Sequence, residues 1–141
     1  MIELSDDKAR LDIALVHGWL TSSYWSPGIE RSLVERAIAG SHCLGAYRDN
    51  VQVGFARAVT DYTHFAWIDD VWVDVSARRQ GVAKDMVRWF LNHPSFATVG
   101  RFALATRDAH SVYESVGFHA PLRPDRWMER LSTEAAAKVQ A

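Results

Sequence analysis

The segment from Arg78 to Lys84 combines three basic side chains with small residues, a composition that suits phosphate binding. It lies between an apolar run typical of a strand and a stretch with helical spacing, so it forms the start of a helix. The first amides of a helix lack partners within the helix, and the helix dipole adds positive charge there. Gly81 lets an anion approach the backbone, and Ala83 is also small. The sequence therefore predicts a diphosphate-binding loop, with a solvated basic patch at an ordinary helix start as the alternative.

Two adjacent carboxylates, Asp69 and Asp70, interrupt the apolar run WIDDVWV just before this loop. Side chains alternate along a strand, so we expect the two carboxylates to point to opposite faces unless a bulge changes the register. Burial would raise the pKa of Asp70 and make it a better proton acceptor, directly or through a water. We therefore predict Asp70 as a general base. The alternative is that one aspartate serves as a salt-bridge or capping partner, for example to Arg57.

The elements that position these residues follow from hydrophobic periodicity. Two helical patterns come first, over residues 11–19 and 29–38, and the runs HCLGAYR and QVGFARAVT then flank a turn as in a hairpin. Phe65 to Val75 is the best candidate for a central strand, and the helical pattern of residues 82–90 ends before Pro94. RFALAT predicts a strand, AHSVYESV a short helix closed by Gly117, and RWMERL a final strand. This order predicts an α/β (α+β) fold with a mixed sheet covered by helices.

Length and composition restrict the remaining function classes. A chain of 141 residues with 48% hydrophobic residues predicts one domain over residues 1–141, with residues 132–141 as a frayed tail. The formal net charge of -1 with interleaved signs argues against nucleic-acid or membrane partners. The charged start MIELSDDKAR does not resemble a signal peptide, so we expect a cytoplasmic protein.

Metal and nucleotide sites of the common kinds are not predicted. Cys43 is the single cysteine, which excludes a cysteine-rich metal site, and the histidines show no ligand spacing. We read Cys43 as a small core residue. Neither GxGxxG nor GxxxxGK[ST] occurs, so Rossmann and P-loop chemistry lack their usual support. An exposed edge strand and six tryptophans are compatible with a homodimer.

Two ordered motifs carry a resemblance to a known family. Residues 78–83, RRQGVA, resemble the Q/R-x-x-G-x-G/A acetyl-coenzyme A signature of the GNAT superfamily. Residues 109–118, AHSVYESVGF, resemble the A-x-x-x-Y-E-x-x-G-F run of the same superfamily. The runs SYWSPG, GFARAVTD and LATRDAH are similar to a group of small GNAT proteins whose acceptors are generally unassigned. The resemblance implies a GNAT fold, with a mostly antiparallel central sheet and helices on both faces.

The resemblance also implies where acetyl-coenzyme A binds. Val71, Trp72 and Val73 would offer backbone hydrogen bonds to the pantetheine arm. The pyrophosphate would be held by the loop residues Arg78, Arg79, Gln80, Gly81, Val82, Ala83 and Lys84. Thr106, which stands where members often carry Asn, and Ala109 complete the predicted cofactor contacts.

Acyl transfer from a thioester to an amine needs a base, an oxyanion donor and an acid. Tyr113 is the predicted acid, because a phenol of pKa about 10 can protonate a departing thiolate of pKa about 8.5, and its place in the second motif supports this role. His110 on the same predicted helix is the rival to Asp70 as base. The alternative for Tyr113 is an ordinary core tyrosine, and the alternative for His110 is an ordinary surface histidine.

The acceptor pocket is predicted in the first third of the chain. Tyr24 and Trp25 lie in a loop with hydroxyl side chains, and an aromatic wall suits an amine. Asp69 and His110 are also predicted to bind the acceptor. The alternative is that these aromatic residues fill the core.

The sequence therefore predicts an N-acetyltransferase in which a primary amine of a small molecule or a peptide attacks acetyl-coenzyme A directly in a ternary complex. A catalytically silent acyl-coenzyme A sensor or assembly module is the second hypothesis. A nucleotide-binding protein that uses the same helix start is the third.

Overall fold

Five strands form one sheet in the computed structural model, which describes residues 1–141. The strands are β1 (Glu3–Ser5), β2 (His42–Arg48), β3 (Val51–Thr60), β4 (Phe65–Val73) and β5 (Arg101–Ala103). They lie in the order β1-β2-β3-β4-β5. All neighbours are antiparallel except β4 and β5, which are parallel. The predicted mixed, mostly antiparallel sheet is confirmed.

Five α-helices accompany the sheet. They are α1 (Ile13–Thr21), α2 (Arg31–Ala39), α3 (Val82–Asn92), α4 (His110–Glu114) and α5 (Thr133–Gln140). Short 3-10 turns occur at Lys8–Arg10, Val75–Ala77, Pro94–Phe96 and Pro124–Arg126. None of the helices combines the length and the apolar character that a membrane-spanning segment requires.

Helices cover both faces of the sheet and give two apolar clusters. On one face α3 buries Met86, Val87 and Phe90 against small strand residues such as Ala56 and Ala58. On the other face α1 and α2 pack their apolar sides around Phe55 and Cys43. The chain thus fixes α3, and the loop before it, rigidly against the central strands.

Two sequence predictions differ from the structure. The short strand β1 was not predicted, because three residues are too few to show a period. The predicted strand RWMERL is wrong for this chain, since residues 128–131 lie outside all helices and strands. A strand requires a neighbour for its backbone groups, and residues 128–131 make no backbone hydrogen bond.

Candidate active site

A cleft of about 820 Å³ opens where β4 and β5 separate. The two strands pair only where Phe65–Trp67 lie opposite Arg101–Ala103. β4 continues to Val73, and this second half pairs with β3 on one side only. Its other side faces the cleft, where the Val73 carbonyl accepts a hydrogen bond from Arg78 Nε at 3.0 Å. The remaining backbone groups on this side are open to an extended ligand, which could bind as an added strand would.

The start of α3 forms one end of the cleft. Helix α3 begins after Gly81, whose φ of 77° is left-handed, and no side chain caps the helix. The first hydrogen bond of the helix joins the Asp85 amide to the Gly81 carbonyl at 2.9 Å. The amides of Val82, Ala83 and Lys84 have no acceptor in the protein. These unpaired donors lie where the loop sequence predicts an anion site.

Most of the loop side chains face this end of the cleft. The lining residues of the loop are Arg78, Arg79, Gly81, Ala83 and Lys84. The side chain of Gln80 instead accepts a hydrogen bond from Arg48 at 3.0 Å. Val82 is 3% exposed and packs in the core, so only its amide is available to a ligand.

One guanidinium binds both central carboxylates. Arg57 Nε donates to Asp70 Oδ2 at 2.7 Å, and its Nη2 donates to Asp69 Oδ2 at 3.1 Å. The cause is a β-bulge in which Asp70 and Val71 lie opposite the single residue Ala56. Asp70 adopts a φ of 52° there. The expectation that the carboxylates point to opposite faces is therefore wrong, because the bulge turns both toward Arg57.

The two carboxylates differ in their surroundings. The side chain of Asp70 is 9% exposed, and its second oxygen accepts a hydrogen bond from Trp25 Nε1 at 2.8 Å. The side chain of Asp69 is 36% exposed and lines the cleft. Partial burial and the neighbouring charge of Asp70 raise the pKa of Asp69, against the opposite effect of Arg57. Asp69 is thus the accessible carboxylate, and Asp70 is held by two donors.

Tyr113 on α4 lines the same cleft. Burial raises the pKa of the Tyr113 phenol, and the nearby Tyr24 and Asp69 add to this effect. A phenol with a raised pKa stays protonated at neutral pH, so it can donate a proton or a hydrogen bond. The cleft therefore holds a protonated phenol and a carboxylate close enough to influence each other.

The aromatic loop between α1 and α2 forms the other wall. Tyr24 and Trp25 line the cleft and pack edge to face, with ring centroids 4.9 Å apart. The Tyr24 hydroxyl accepts a hydrogen bond from the Arg107 amide at 3.1 Å, and the Arg107 guanidinium lies 3.9 Å from the ring centroid. Sequence reasoning missed Arg107, because this contact joins residues that no local pattern connects.

The remaining predicted residues divide between two places. Thr106 and Ala109 line the cleft, although Thr106 Oγ1 also accepts a hydrogen bond from the Ala109 amide at 3.0 Å. His110 lines a second groove beyond β5 and does not line the cleft. Cys43 is 1% exposed, and burial raises the pKa of its thiol to about 11, so it carries no thiolate at neutral pH. No group of three or more acidic, histidine or cysteine side chains is placed to hold a metal ion.

Residues 10–118 match the model of the acetyltransferase (GNAT) family. This match spans well over half of the sequence. The chain belongs to the GNAT family. It is accordingly an acyltransferase, and the acyl donor that this family uses is acetyl-coenzyme A.

Solved structures agree with this membership. A GNAT-family protein from Xanthomonas campestris pv. campestris, provisionally assigned as an acetyltransferase, is 40% identical to this chain. It has a TM-score of 0.89, and the alignment covers 94% of each chain. A predicted acetyltransferase from Clostridium acetobutylicum, solved with acetyl-coenzyme A, has a TM-score of 0.69 at 17% identity, covering 93% of this chain and 96% of that one. The second likeness shows the fold alone. No protein with a curated description matches this sequence.

The cleft of this GNAT protein fits the donor that the family uses. The three free amides of α3 and the basic side chains beside them suit a pyrophosphate. A Cβ at Gly81 would meet no protein atom within 4 Å, so the space before these amides is open to a ligand.

Replacement of Gly81 by Asp tests this anion site. We expect Gly81→Asp to raise the Kd for coenzyme A at least tenfold, which is about 1.4 kcal/mol, because it adds negative charge beside the free amides. Isothermal titration calorimetry measures the change. Gly28→Asp is the matched control, since Gly28 has a similar φ of 72° and equally open surroundings outside the cleft. Unchanged affinity in Gly81→Asp, or an equal loss in Gly28→Asp, would contradict the site.

Removal of the Asp70 carboxylate tests the buried ion pair. We expect Asp70→Leu to lower the free energy of unfolding by about 3 kcal/mol, because it leaves Arg57 with one acidic partner and Trp25 Nε1 with none. Urea denaturation followed by tryptophan fluorescence measures the loss. Asp125→Leu, which breaks the exposed pair between Arg123 and Asp125, is the control and should leave the midpoint unchanged. Equal midpoints for both variants would show that Asp70 adds no stability.

Proposed function

We propose that this protein transfers the acetyl group of acetyl-coenzyme A to a primary amine by direct attack within a ternary complex. The observation that carries the proposal is the charge separation along the cleft. One end has free amides with Arg78, Arg79 and Lys84, which suit a pyrophosphate. The other end has Asp69 between aromatic side chains, which suits a cationic amine. A donor and an acceptor of opposite charge would therefore bind with their reactive groups near the middle of β4.

Asp69 is the residue we propose as general base. Both carboxylate oxygens of Asp70 already accept hydrogen bonds, from Arg57 and Trp25, and most of its surface is buried. The side chain of Asp69 is 36% exposed, which is four times the 9% of Asp70. The raised pKa of Asp69, caused first by burial, makes it a stronger proton acceptor than an ordinary aspartate. Asp70 would then act as a positioning residue through Arg57.

Tyr113 is the residue we propose as general acid. An ammonium has no lone pair, so the bound amine would first lose one proton to solvent. Asp69 would then accept a proton from the neutral nitrogen as it bonds to the thioester carbon. The carbon–sulfur bond then breaks with its electron pair on sulfur, and the Tyr113 phenol would give its proton to the departing thiolate. Solvent would return a proton from Asp69 to Tyr113, so that protons balance over one turnover. The free amides of the second half of β4 are the proposed donors to the carbonyl oxygen.

Conservative replacements test the two carboxylates separately. We expect Asp69→Asn to lower kcat about 100-fold, which is within the usual contribution of a general base, and Asp70→Asn to lower it much less. Release of free thiol from acetyl-coenzyme A with a panel of amines measures the rate. Retained affinity for coenzyme A serves as the folding control for each variant. A larger loss in Asp70→Asn than in Asp69→Asn would assign the base to Asp70 instead.

The pH dependence of kcat gives a sharper test of Asp70. Asp69 accepts a proton only when ionised, so kcat should fall as the pH falls through its raised pKa. The charge of Asp70 helps to raise the pKa of Asp69. We therefore expect Asp70→Asn to move the acidic limb to lower pH with the same amine acceptor. An unmoved limb would mean that Asp70 does not act through Asp69.

Replacement of Tyr113 by Phe tests the acid. We expect Tyr113→Phe to lower kcat about 100-fold, because the departing thiolate loses its proton donor, while the Kd for coenzyme A stays unchanged. Single-turnover thiol release and calorimetry measure the two quantities. An unchanged rate would remove Tyr113 from the mechanism. Cofactor binding without turnover of any amine in the wild-type protein would favour the silent sensor module.

A further inference from the structure

The acceptor end of the cleft has one negative charge without a partner. Asp69 and Asp70 share a single guanidinium, that of Arg57, which donates to both carboxylates. Two carboxylates against one guanidinium leave one negative charge uncompensated. One cationic group on the acceptor would balance this charge, and a second would have no counter-charge here.

A third carboxylate lines the cleft but has a partner of its own. Asp108 Oδ2 lies 3.1 Å from Arg107 Nη2, and Arg107 itself does not line the cleft. The same guanidinium lies 3.9 Å from the ring centroid of Tyr24, and the Arg107 amide donates to the Tyr24 hydroxyl. The Arg107 guanidinium is therefore held between Asp108 and an aromatic ring. It compensates Asp108 and is not free to bind a carboxylate on the acceptor.

The polar side-chain atoms around this end largely bind one another. Trp25 Nε1 donates to Asp70 at 2.8 Å, and the Tyr24 hydroxyl accepts from the Arg107 amide at 3.1 Å. Thr106 Oγ1 accepts from the Ala109 amide at 3.0 Å. An acceptor rich in hydroxyl groups, such as an amino sugar, would find few unpaired partners.

The remaining surface of this end is apolar. The cleft is lined by Trp25 and Trp72, whose ring centroids are 6.0 Å apart, and by Ile29. Trp67 also lines the cleft, and it precedes Asp69 by two residues on β4, so the two side chains share one face of the strand. An amine at Asp69 would thus have aromatic and aliphatic side chains around the rest of the molecule.

We propose that the acceptor is a primary amine with a single positive charge on an apolar alkyl or aralkyl body. This assignment rests on the proposed acetyl transfer and narrows its acceptor. The ammonium pairs with the uncompensated charge of Asp69, and the body packs on the aromatic walls. Diamines and amino acids are poor acceptors, because a second ammonium has no partner and a carboxylate meets negative charge.

Four amines that differ in one feature at a time test this assignment by binding alone. Isothermal titration calorimetry on the full chain loaded with coenzyme A compares ethylamine, hexylamine, hexamethylenediamine and aminocaproate. Hexylamine should bind at least tenfold tighter than ethylamine, because four further methylene groups leave water. It should bind at least fivefold tighter than hexamethylenediamine and aminocaproate, which have the same chain length with an added charge.

The outcomes separate this assignment from the proposed reaction. Tighter binding of the diamine or of aminocaproate, equal binding of ethylamine and hexylamine, or no binding of hexylamine would each overturn the acceptor class. Thiol release from acetyl-coenzyme A is measured in parallel with the same amines. Selective binding of hexylamine without thiol release would contradict acetyl transfer and leave the binding class supported.

A change at Arg107 tests the charge count itself. Arg107→Gln removes the partner of Asp108 and adds a second uncompensated carboxylate to the cleft. We expect the affinity for hexamethylenediamine to rise at least threefold relative to hexylamine. Arg107→Lys keeps the positive charge and is the matched control, in which the ratio should stay unchanged. An unchanged ratio in Arg107→Gln, or an equal rise in Arg107→Lys, would show that charge does not select the acceptor.

Discussion

The electrostatics of the cleft depend on one additional residue in β4. Strict alternation would place one of the two central carboxylates on the apolar face, where an unpaired charge costs several kcal/mol. The bulge opposite Ala56 instead brings both Asp69 and Asp70 to Arg57. Arg57 has only 14% of its side chain exposed, so it cannot exchange these partners for water. A feature of the backbone thus decides which carboxylate is buried and which faces the cleft.

The same strand also creates the space for ligands. β4 leaves β5 after Trp67, and its far end is held by β3 alone. Beyond that end, Val82 anchors the first turn of α3 in the core. The left-handed Gly81 lets the chain enter the helix without a side-chain cap. Core packing therefore fixes the direction of the free amides at the predicted anion site.

Local sequence patterns correctly predicted the elements that depend only on residues close together in the chain. The loop 78–84, the strands around it and helix α3 each have their own period or motif. The direction of Asp70 could not be predicted, because a bulge is a relation between two strands. The contact of Tyr24 with Arg107 was also beyond local patterns, since 83 residues separate them. His110 shares a helix with Tyr113, yet the turn of that helix directs it to the groove beyond β5.

The segment RWMERL shows what a strand pattern reports. Alternation indicates that a segment can bury one face and pair its backbone, but it does not identify the neighbouring strand. Residues 128–131 have no backbone partner in the structure, and the outer edge of β5 also has no neighbouring strand. Exposed apolar side chains and unpaired edges both favour association. A strand pattern can thus occur in a segment to which the chain itself gives no neighbouring strand.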